Sequence, residues 1–214
     1  MALRSLLRKY FIMNRKNSLI GVAAAALFSC IIVEGAEYYA VSLLMSPSLL
    51  FSFIVGKLCY MEDESSTRIF LLSLPIGRKE LILEKNIVSY GCIIAGLILS
   101  NLIFFAVNVI WGREIYFNLS VNLIMASFLI FYNSIYLVLN YSFDYSKTQF
   151  TSFIIMALMM VLFKFRKGVF YTVSGSGLTT VSVVLLLSVV ALNGLVFKIL
   201  GEKQKKRMSL KRRR

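Results

Sequence analysis

Residues 86–112 read NIVSYGCIIAGLILSNLIFFAVNVIWG and contain no Lys, Arg, Asp or Glu. A helix of about 20 apolar residues crosses the hydrocarbon core of a bilayer. A charged side chain at the bilayer centre costs about 2.5–3.5 kcal/mol on insertion scales, so a long uncharged run is a strong signal. This stretch therefore predicts a transmembrane helix.

The composition extends that prediction to the whole chain of 214 residues. Hydrophobic residues make up 58% and charged residues 16%, against about 25% charged in soluble domains, and the mean hydropathy is +0.78. So few charges cannot cover so much apolar surface in water. We therefore expect an all-α membrane protein and exclude a soluble domain.

Six uncharged runs follow one another along the chain. The fifth is the weakest, because it is short and ends at Lys164. Without it the protein would have five spans, and its two termini would lie on opposite sides of the membrane. The predicted spans are 17–33, 38–56, 88–110, 117–140, 148–163 and 178–197.

The distribution of basic residues favours six spans. Six spans place 20 of the 24 Lys and Arg residues on one side, together with both termini and the loop 57–86. Cytoplasmic segments of membrane proteins carry this excess, so we expect a plasma-membrane protein with cytoplasmic N- and C-termini. Lys164, Arg166 and Lys167 run against the rule. The net charge of +14 indicates anionic lipid as a partner and no nucleic acid.

The chain ends are expected to lie at the membrane surface. In residues 1–16 apolar positions recur at helical spacing between basic ones, which predicts an amphipathic interfacial helix before the transmembrane domain, 17–200. The alternative is a basic segment that only sets orientation. Residues 201–214 are predicted to form a basic cytoplasmic tail.

Small and amide residues form stripes within the predicted spans. Gly21, Ala25 and Ser29 repeat every four residues and favour close helix contact. Amides facing lipid would be costly, so the asparagine stripes are expected to face other helices or a translocation path. Helix packing is the favoured role and solute contact the alternative. The candidates are Asn101 and Asn108 on the third span, and Asn122, Asn133 and Asn140 on the fourth.

Several chemistries lack their residues. The chain has no histidine, and Cys30, Cys59 and Cys92 have no metal-like spacing. No glycine-rich loop ending in Lys-Ser or Lys-Thr is present to bind nucleotide phosphates. We therefore expect no enzyme activity, no bound cofactor and no metal, and driven transport would take its energy from another subunit.

The loop 57–86 has a distinctive order of residues. Residues 62–66, EDESS, are acids and hydroxyls suited to a helix N-terminus. A short apolar stretch follows, TRIFLLSL at 67–74, and Pro75 and Gly77 end it. A new helix is predicted to begin at Arg78-Lys79-Glu80 and to continue into the third span. The apolar stretch needs a partner or the membrane interface to cover it.

This loop resembles the first cytoplasmic loop of type-2 ABC exporter permeases. The similarity lies in the acids at 62–64, the sequence LLSLPIGRKE at 71–80 and EKN at 84–86. The nearest branch is the small six-span bacterial one, which includes exporters of phenol-soluble modulins and bacteriocin-immunity permeases. Where that family often has an aromatic residue after the lysine, Asn86 stands here.

The resemblance implies a short coupling helix that docks on a cytoplasmic ATPase. The ATPase-coupling residues would be Arg68, Ile69, Phe70, Leu71, Leu72, Leu74 and Pro75, with Arg78 and Lys79 flanking them. ATP and Mg would bind to the partner, not to this chain.

The resemblance also implies an exporter built from two permease chains, identical or paralogous, and two ABC ATPase subunits. The solute would be an amphipathic peptide or a lipid-like or drug-like molecule. The alternative from another class is an ATPase-independent membrane scaffold, immunity protein or pore. A membrane-embedded transferase or protease is disfavoured, because histidine and clustered acids are absent from the spans.

Overall fold

The computed structural model describes residues 2–32, 39–64, 78–112, 117–142, 145–165 and 176–211, and all regular structure within them is helical. The elements are α1 (Ala2–Ile32), α2 (Tyr39–Phe51), a π-helical turn (Ser52–Gly56), α3 (Lys57–Glu64), α4 (Arg78–Ile110), α5 (Leu119–Ser142), α6 (Tyr145–Phe165) and α7 (Ser176–Lys211).

Four helical segments are long and apolar enough to cross a membrane. Among the described residues they are Tyr39–Met61, Ile82–Ile110, Leu119–Tyr141 and Thr179–Val196. They correspond to the second, third, fourth and sixth predicted spans. The first and fifth predicted spans lie in α1 and α6, and neither is among the four. An all-helical fold with several candidate membrane-spanning helices is thus confirmed, whereas the count of six stays a prediction.

Helix α1 is continuous from Ala2 to Ile32, so the predicted interfacial helix and the first span form one helix. An interfacial position for residues 1–16 stays a prediction. The small-residue stripe is confirmed as a contact surface, because Gly21, Ala25 and Ser29 are all buried. A Cβ on Gly21 would lie 3.0 Å from Phe53 Cβ, so the missing side chain permits the close approach of α1.

Helices α2 and α3 are joined by the π turn without a break. The helix that contains the predicted second span, 38–56, continues beyond it, and its apolar segment extends to Met61. The expectation that Glu62, Asp63 and Glu64 open a helix was wrong, because they form the end of α3. No proline follows Pro47 in this element, and nothing else stops the helix before these acids.

The π turn exposes a backbone acceptor that another helix uses. Asn14 Nδ2 on α1 donates to the Ile54 carbonyl at 3.1 Å, and the Lys57 backbone N–H donates to the same oxygen. A π turn contains one residue more than an α-helical turn and frees backbone groups for such contacts. The Asn14 side chain thus fixes α1 to the point where α2 becomes α3.

Helix α4 begins at Arg78, where the sequence predicted a helix start, and it crosses α2 very closely. A Cβ on Gly96 would lie 2.4 Å from the Cα of Pro47, which is far inside van der Waals contact. Only glycine fits at this crossing. The α2–α4 pair forms the centre of the bundle, with α1 packed against both helices.

Helix α5 packs against α7 over a long interface and also contacts α2 and α4, whereas α6 is more peripheral. Two apolar clusters fill the interior. One includes Val55, Cys59, Cys92 and Tyr136 near the end of α3. The other surrounds Tyr39, Phe104 and Met125 at the opposite end of the bundle.

Candidate functional site

The predicted coupling segment is bounded by two helices of the bundle. Helix α3 ends at Glu64 and α4 begins at Arg78. The predicted coupling residues from Arg68 to Pro75 lie outside the described residues. Arg78 and Lys79 form the first turn of α4, and their flanking role stays a prediction. We refer to this end of the bundle as the loop end and to the other as the far end.

Polar side chains of α4 and α5 meet at the loop end. Lys85 Nζ donates to Asn140 Oδ1 at 3.4 Å, and Asn133 Nδ2 donates to Asn86 Oδ1 at 3.4 Å. We call Lys85, Asn86, Asn133 and Asn140 the loop-end cluster. All four side chains are buried, so the two helices exclude solvent from these contacts.

The loop-end cluster holds one buried cation and one unpartnered acceptor. Lys85 is 3% exposed, and its ammonium group also lies 5.1 Å from the centroid of the Tyr141 ring, where the ring quadrupole attracts a cation. Asn133 is fully buried, yet its Oδ1 accepts no hydrogen bond. A buried acceptor left unpaired costs about 1–3 kcal/mol.

Aromatic side chains surround the loop end. The rings of Phe51 and Tyr136 meet edge to face with centroids 5.0 Å apart. The rings of Tyr60 on α3 and Tyr145 on α6 meet in the same way at 5.3 Å, and Lys57 Nζ lies 4.5 Å from the Tyr60 centroid. Such pairs stabilise by about 0.5–1.5 kcal/mol beyond their buried area. The Tyr60–Tyr145 pair connects α3 to α6, and the Phe51–Tyr136 pair connects α2 to α5.

A second polar cluster closes the far end. Tyr39 OH donates to Asn101 Oδ1 at 2.6 Å, Asn101 Nδ2 donates to Asn122 Oδ1 at 2.8 Å, and Asn122 Nδ2 donates to Tyr39 OH at 2.5 Å. We call these three residues the far-end ring. Each donates once and accepts once within it, so α2, α4 and α5 are joined by a closed cycle.

The predicted asparagine stripe of α5 faces other helices along its whole length. Asn122, Asn133 and Asn140 each bond a residue of α4, respectively Asn101, Asn86 and Lys85. Asn108, the fifth candidate, is buried at the far end of α4. The structure therefore places Asn133 and Asn140 at the loop end and Asn101, Asn108 and Asn122 at the far end. Contact of any of them with a solute stays a prediction.

Several residues of these contacts were missed by sequence reasoning. Tyr39 lay at the edge of an uncharged run, and Lys85 and Asn86 were expected only to begin the third span. Asn193 of α7 donates to the Tyr90 hydroxyl of α4, and it is the one asparagine in the predicted span 178–197. A single amide in an apolar run indicates an interhelical bond but does not identify the partner, because the partner depends on packing.

Within the described residues, no group of three or more His, Cys, Asp or Glu side chains could hold a metal ion. Of the three cysteines, Cys59 and Cys92 are buried, which agrees with a role in helix packing, whereas Cys30 is exposed. The chemistry available at the loop end is therefore hydrogen bonding and charge–aromatic contact between helices.

A bundle of apolar helices joined by amide contacts is typical of a polytopic membrane protein. The family model described as ABC-2 family transporter protein matches residues 5–200. The chain therefore belongs to the ABC-2 family of transporter proteins and is a multi-pass membrane permease. Neither a curated protein nor a solved structure matches it.

Proposed function

We propose that this chain is the transmembrane subunit of an ATP-driven exporter and pairs with a cytoplasmic ABC ATPase through residues 65–77. The observation that supports this most directly is the family match, which spans residues 5–200 and includes that whole segment. ATP and Mg would bind to the ATPase, since the sequence offers no phosphate-binding loop.

The positions of α3 and α4 support the segment as the point of contact. Both helices extend from the buried loop end, where Cys59 and Lys85 are packed, to the segment at Glu64 and Arg78. A force on the segment would therefore act directly on two helices of the bundle. The apolar residues 69–74 would supply a docking surface, with Arg68, Arg78 and Lys79 around it.

The solute we propose is an amphipathic peptide or a lipid-like or drug-like molecule, moved between two permease chains. Among the described residues, the buried charged side chains are Glu84 and Lys85, both at the loop end, and the remaining buried polar groups are mainly amides and hydroxyls. Such an interior suits a solute with large apolar surface. The complete complex would contain two permease chains, whose N- and C-termini lie in the cytoplasm, and two ATPase subunits.

The test is co-purification of an ATPase with the tagged full-length chain from its native host. Leu72→Asp and Leu74→Asp place a charge in the apolar docking surface, so we expect the ATPase and its ATP turnover to be lost. Ser73→Asp adds the same charge without removing an apolar side chain, and we expect it to retain the ATPase.

A wild-type chain that purifies without an ATPase and moves solute without nucleotide would overturn the proposal in favour of a self-contained pore. Retention of full ATP turnover in both leucine variants would show that the segment is not the contact.

A further inference from the structure

The loop-end cluster lies directly after the segment that is proposed to receive the ATPase movement. Lys85 is seven residues after Arg78, the first residue of α4, which corresponds to about 10 Å along the helix. Displacement of residues 65–77 would therefore reach Lys85 and Asn86 within the first three turns of α4.

Helix α5 is the neighbour that receives this displacement. Asn133 and Asn140 belong to α5, and α5 packs over a long interface against α7. An apolar contact between α4 and α5 tolerates sliding, whereas a hydrogen bond between buried side chains has a preferred distance and direction. When α4 moves at this point, α5 therefore either opposes the movement or moves with it.

The hydrogen bonding of the loop-end cluster is also incomplete in this structure. Both interhelical bonds are 3.4 Å long, beyond the usual range for N–H···O bonds, and Asn133 Oδ1 is buried with no hydrogen-bond partner. An arrangement with α4 shifted against α5 that gives this oxygen a donor would regain the cost of the unpaired acceptor. A contact with two arrangements of similar free energy is what a switching element requires.

We propose that Asn86 and Asn133, together with Lys85 and Asn140, are positioning residues that transmit displacement of residues 65–77 from α4 to α5. The proposal rests on the proposed function, because it requires a nucleotide-driven displacement of that segment. It assigns the amides a role in coupling ATP turnover to movement of the bundle, separate from ATPase docking.

The experiment follows α5 directly in the permease–ATPase complex. An environment-sensitive fluorophore is attached to Leu119→Cys, at the exposed far end of α5, in a Cys30→Ser background. The remaining native thiols, Cys59 and Cys92, are buried and should not compete for the label. The readouts are the change in emission when ATP and vanadate are added, the ATP turnover and the amount of ATPase retained.

We expect Asn86→Leu and Asn133→Leu to retain the ATPase and its turnover, while the nucleotide-dependent emission change falls about fivefold or more, the lower range of coupling between two sites. Because the two amides bond each other, the double variant should be no worse than either single variant. Asn140→Leu, which removes the acceptor of Lys85, should reduce the emission change in the same way.

The matched control is Asn108→Leu, the same substitution on the same helix. Asn108 is 3% exposed and Asn86 is 4% exposed, but Asn108 lies at the far end. It should keep the wild-type emission change. An undiminished change in the loop-end variants, or an equal loss in the control, would overturn the proposal while leaving ATPase pairing intact. Absence of an ATPase from the wild-type complex would instead overturn the proposed function.

Discussion

The two polar clusters on the α4–α5 interface differ in how completely they are satisfied. The far-end ring closes on itself with bonds of 2.5–2.8 Å, and each side chain donates and accepts once. The loop-end cluster has bonds of 3.4 Å, a buried cation and an unpartnered oxygen. Asparagine side chains thus form a fully hydrogen-bonded contact between helices at the far end and an incompletely hydrogen-bonded contact at the loop end.

The comparison indicates where the bundle holds its shape and where it can change. Three helices meet in the far-end ring, and a change in any one of them breaks two short bonds. At the loop end, the cluster's hydrogen bonds between described residues join α4 to α5, and rearrangement would cost less because one acceptor is already unpaired. Movement that the proposed ATPase would impart to residues 65–77 would meet the loop-end cluster before the far-end ring.

The largest effect is expected from Gly96→Ala, which tests the crossing of α2 and α4 between the loop end and the far end. The added Cβ would lie 2.4 Å from the Cα of Pro47, so α2 and α4 must separate. We expect a loss of about 3 kcal/mol, at the upper end for overpacking, measured as a lowered Tm of the detergent-solubilised protein.

Gly91→Ala is the matched control for this change on the same helix. Nothing lies within 4 Å of a Cβ at Gly91, and alanine is favoured over glycine in a helix by about 1 kcal/mol. Its Tm should be equal or higher. A large loss in Gly91→Ala, or none in Gly96→Ala, would contradict the close α2–α4 crossing.

The next largest effect is expected when the same substitution, Asn→Leu, is made in each of the two clusters. Asn101→Leu removes an acceptor for Tyr39 and a donor to Asn122, so we expect a loss of about 1–2 kcal/mol at about 0.6–1.7 kcal/mol per interhelical bond. Asn133→Leu removes the unpaired Asn133 oxygen but leaves Asn86 Oδ1 without its donor, so one unpaired acceptor replaces another and only a long bond is lost. We expect stability to change by less than about 0.5 kcal/mol.

Thermal unfolding of both variants in the same detergent measures the order of these effects. If Asn133→Leu were the more destabilising variant, the far-end ring would not be the more stabilising of the two clusters.

A smaller effect than that of Asn101→Leu is expected from Tyr39→Phe, which removes the two bonds that the tyrosine hydroxyl makes in the far-end ring. The phenylalanine keeps the edge-to-face contact with Phe104, whose centroid lies 4.9 Å away, and loses only the hydroxyl. We expect a loss of about 1 kcal/mol by thermal unfolding. Ser188→Ala removes an exposed hydroxyl bonded within its own helix and should be neutral; equal Tm values for the two variants would show that the ring adds no stability.

The sequence predicted much of the fold because uncharged runs and helix starts are local signals. Four apolar segments, the helix start at Arg78 and the buried stripe of Gly21, Ala25 and Ser29 all agree with the structure. The acids at 62–64 were misassigned, because the same residues can end one helix or begin another, and only the continuous backbone distinguishes these cases.

The partners of the amides could not be predicted from the sequence. Spacing placed Asn122, Asn133 and Asn140 on one face of α5, and each of them bonds a residue of α4. Their partners, Asn101, Asn86 and Lys85, depend on the register between α4 and α5. That register is set by packing, including the close approach of Gly96 to Pro47, and no pattern within a single helix specifies it.

The π turn between α2 and α3 has a consequence for the direction that α3 faces. One extra residue rotates every later side chain by about 100° about the helix axis relative to an uninterrupted α-helix. The helix that packs on α1 and α4 before Ser52 therefore presents Tyr60 to Tyr145 of α6 after Gly56. Deleting one residue from 52–56 would restore the regular winding, turn Tyr60 away and misalign the chain's exit toward residues 65–77.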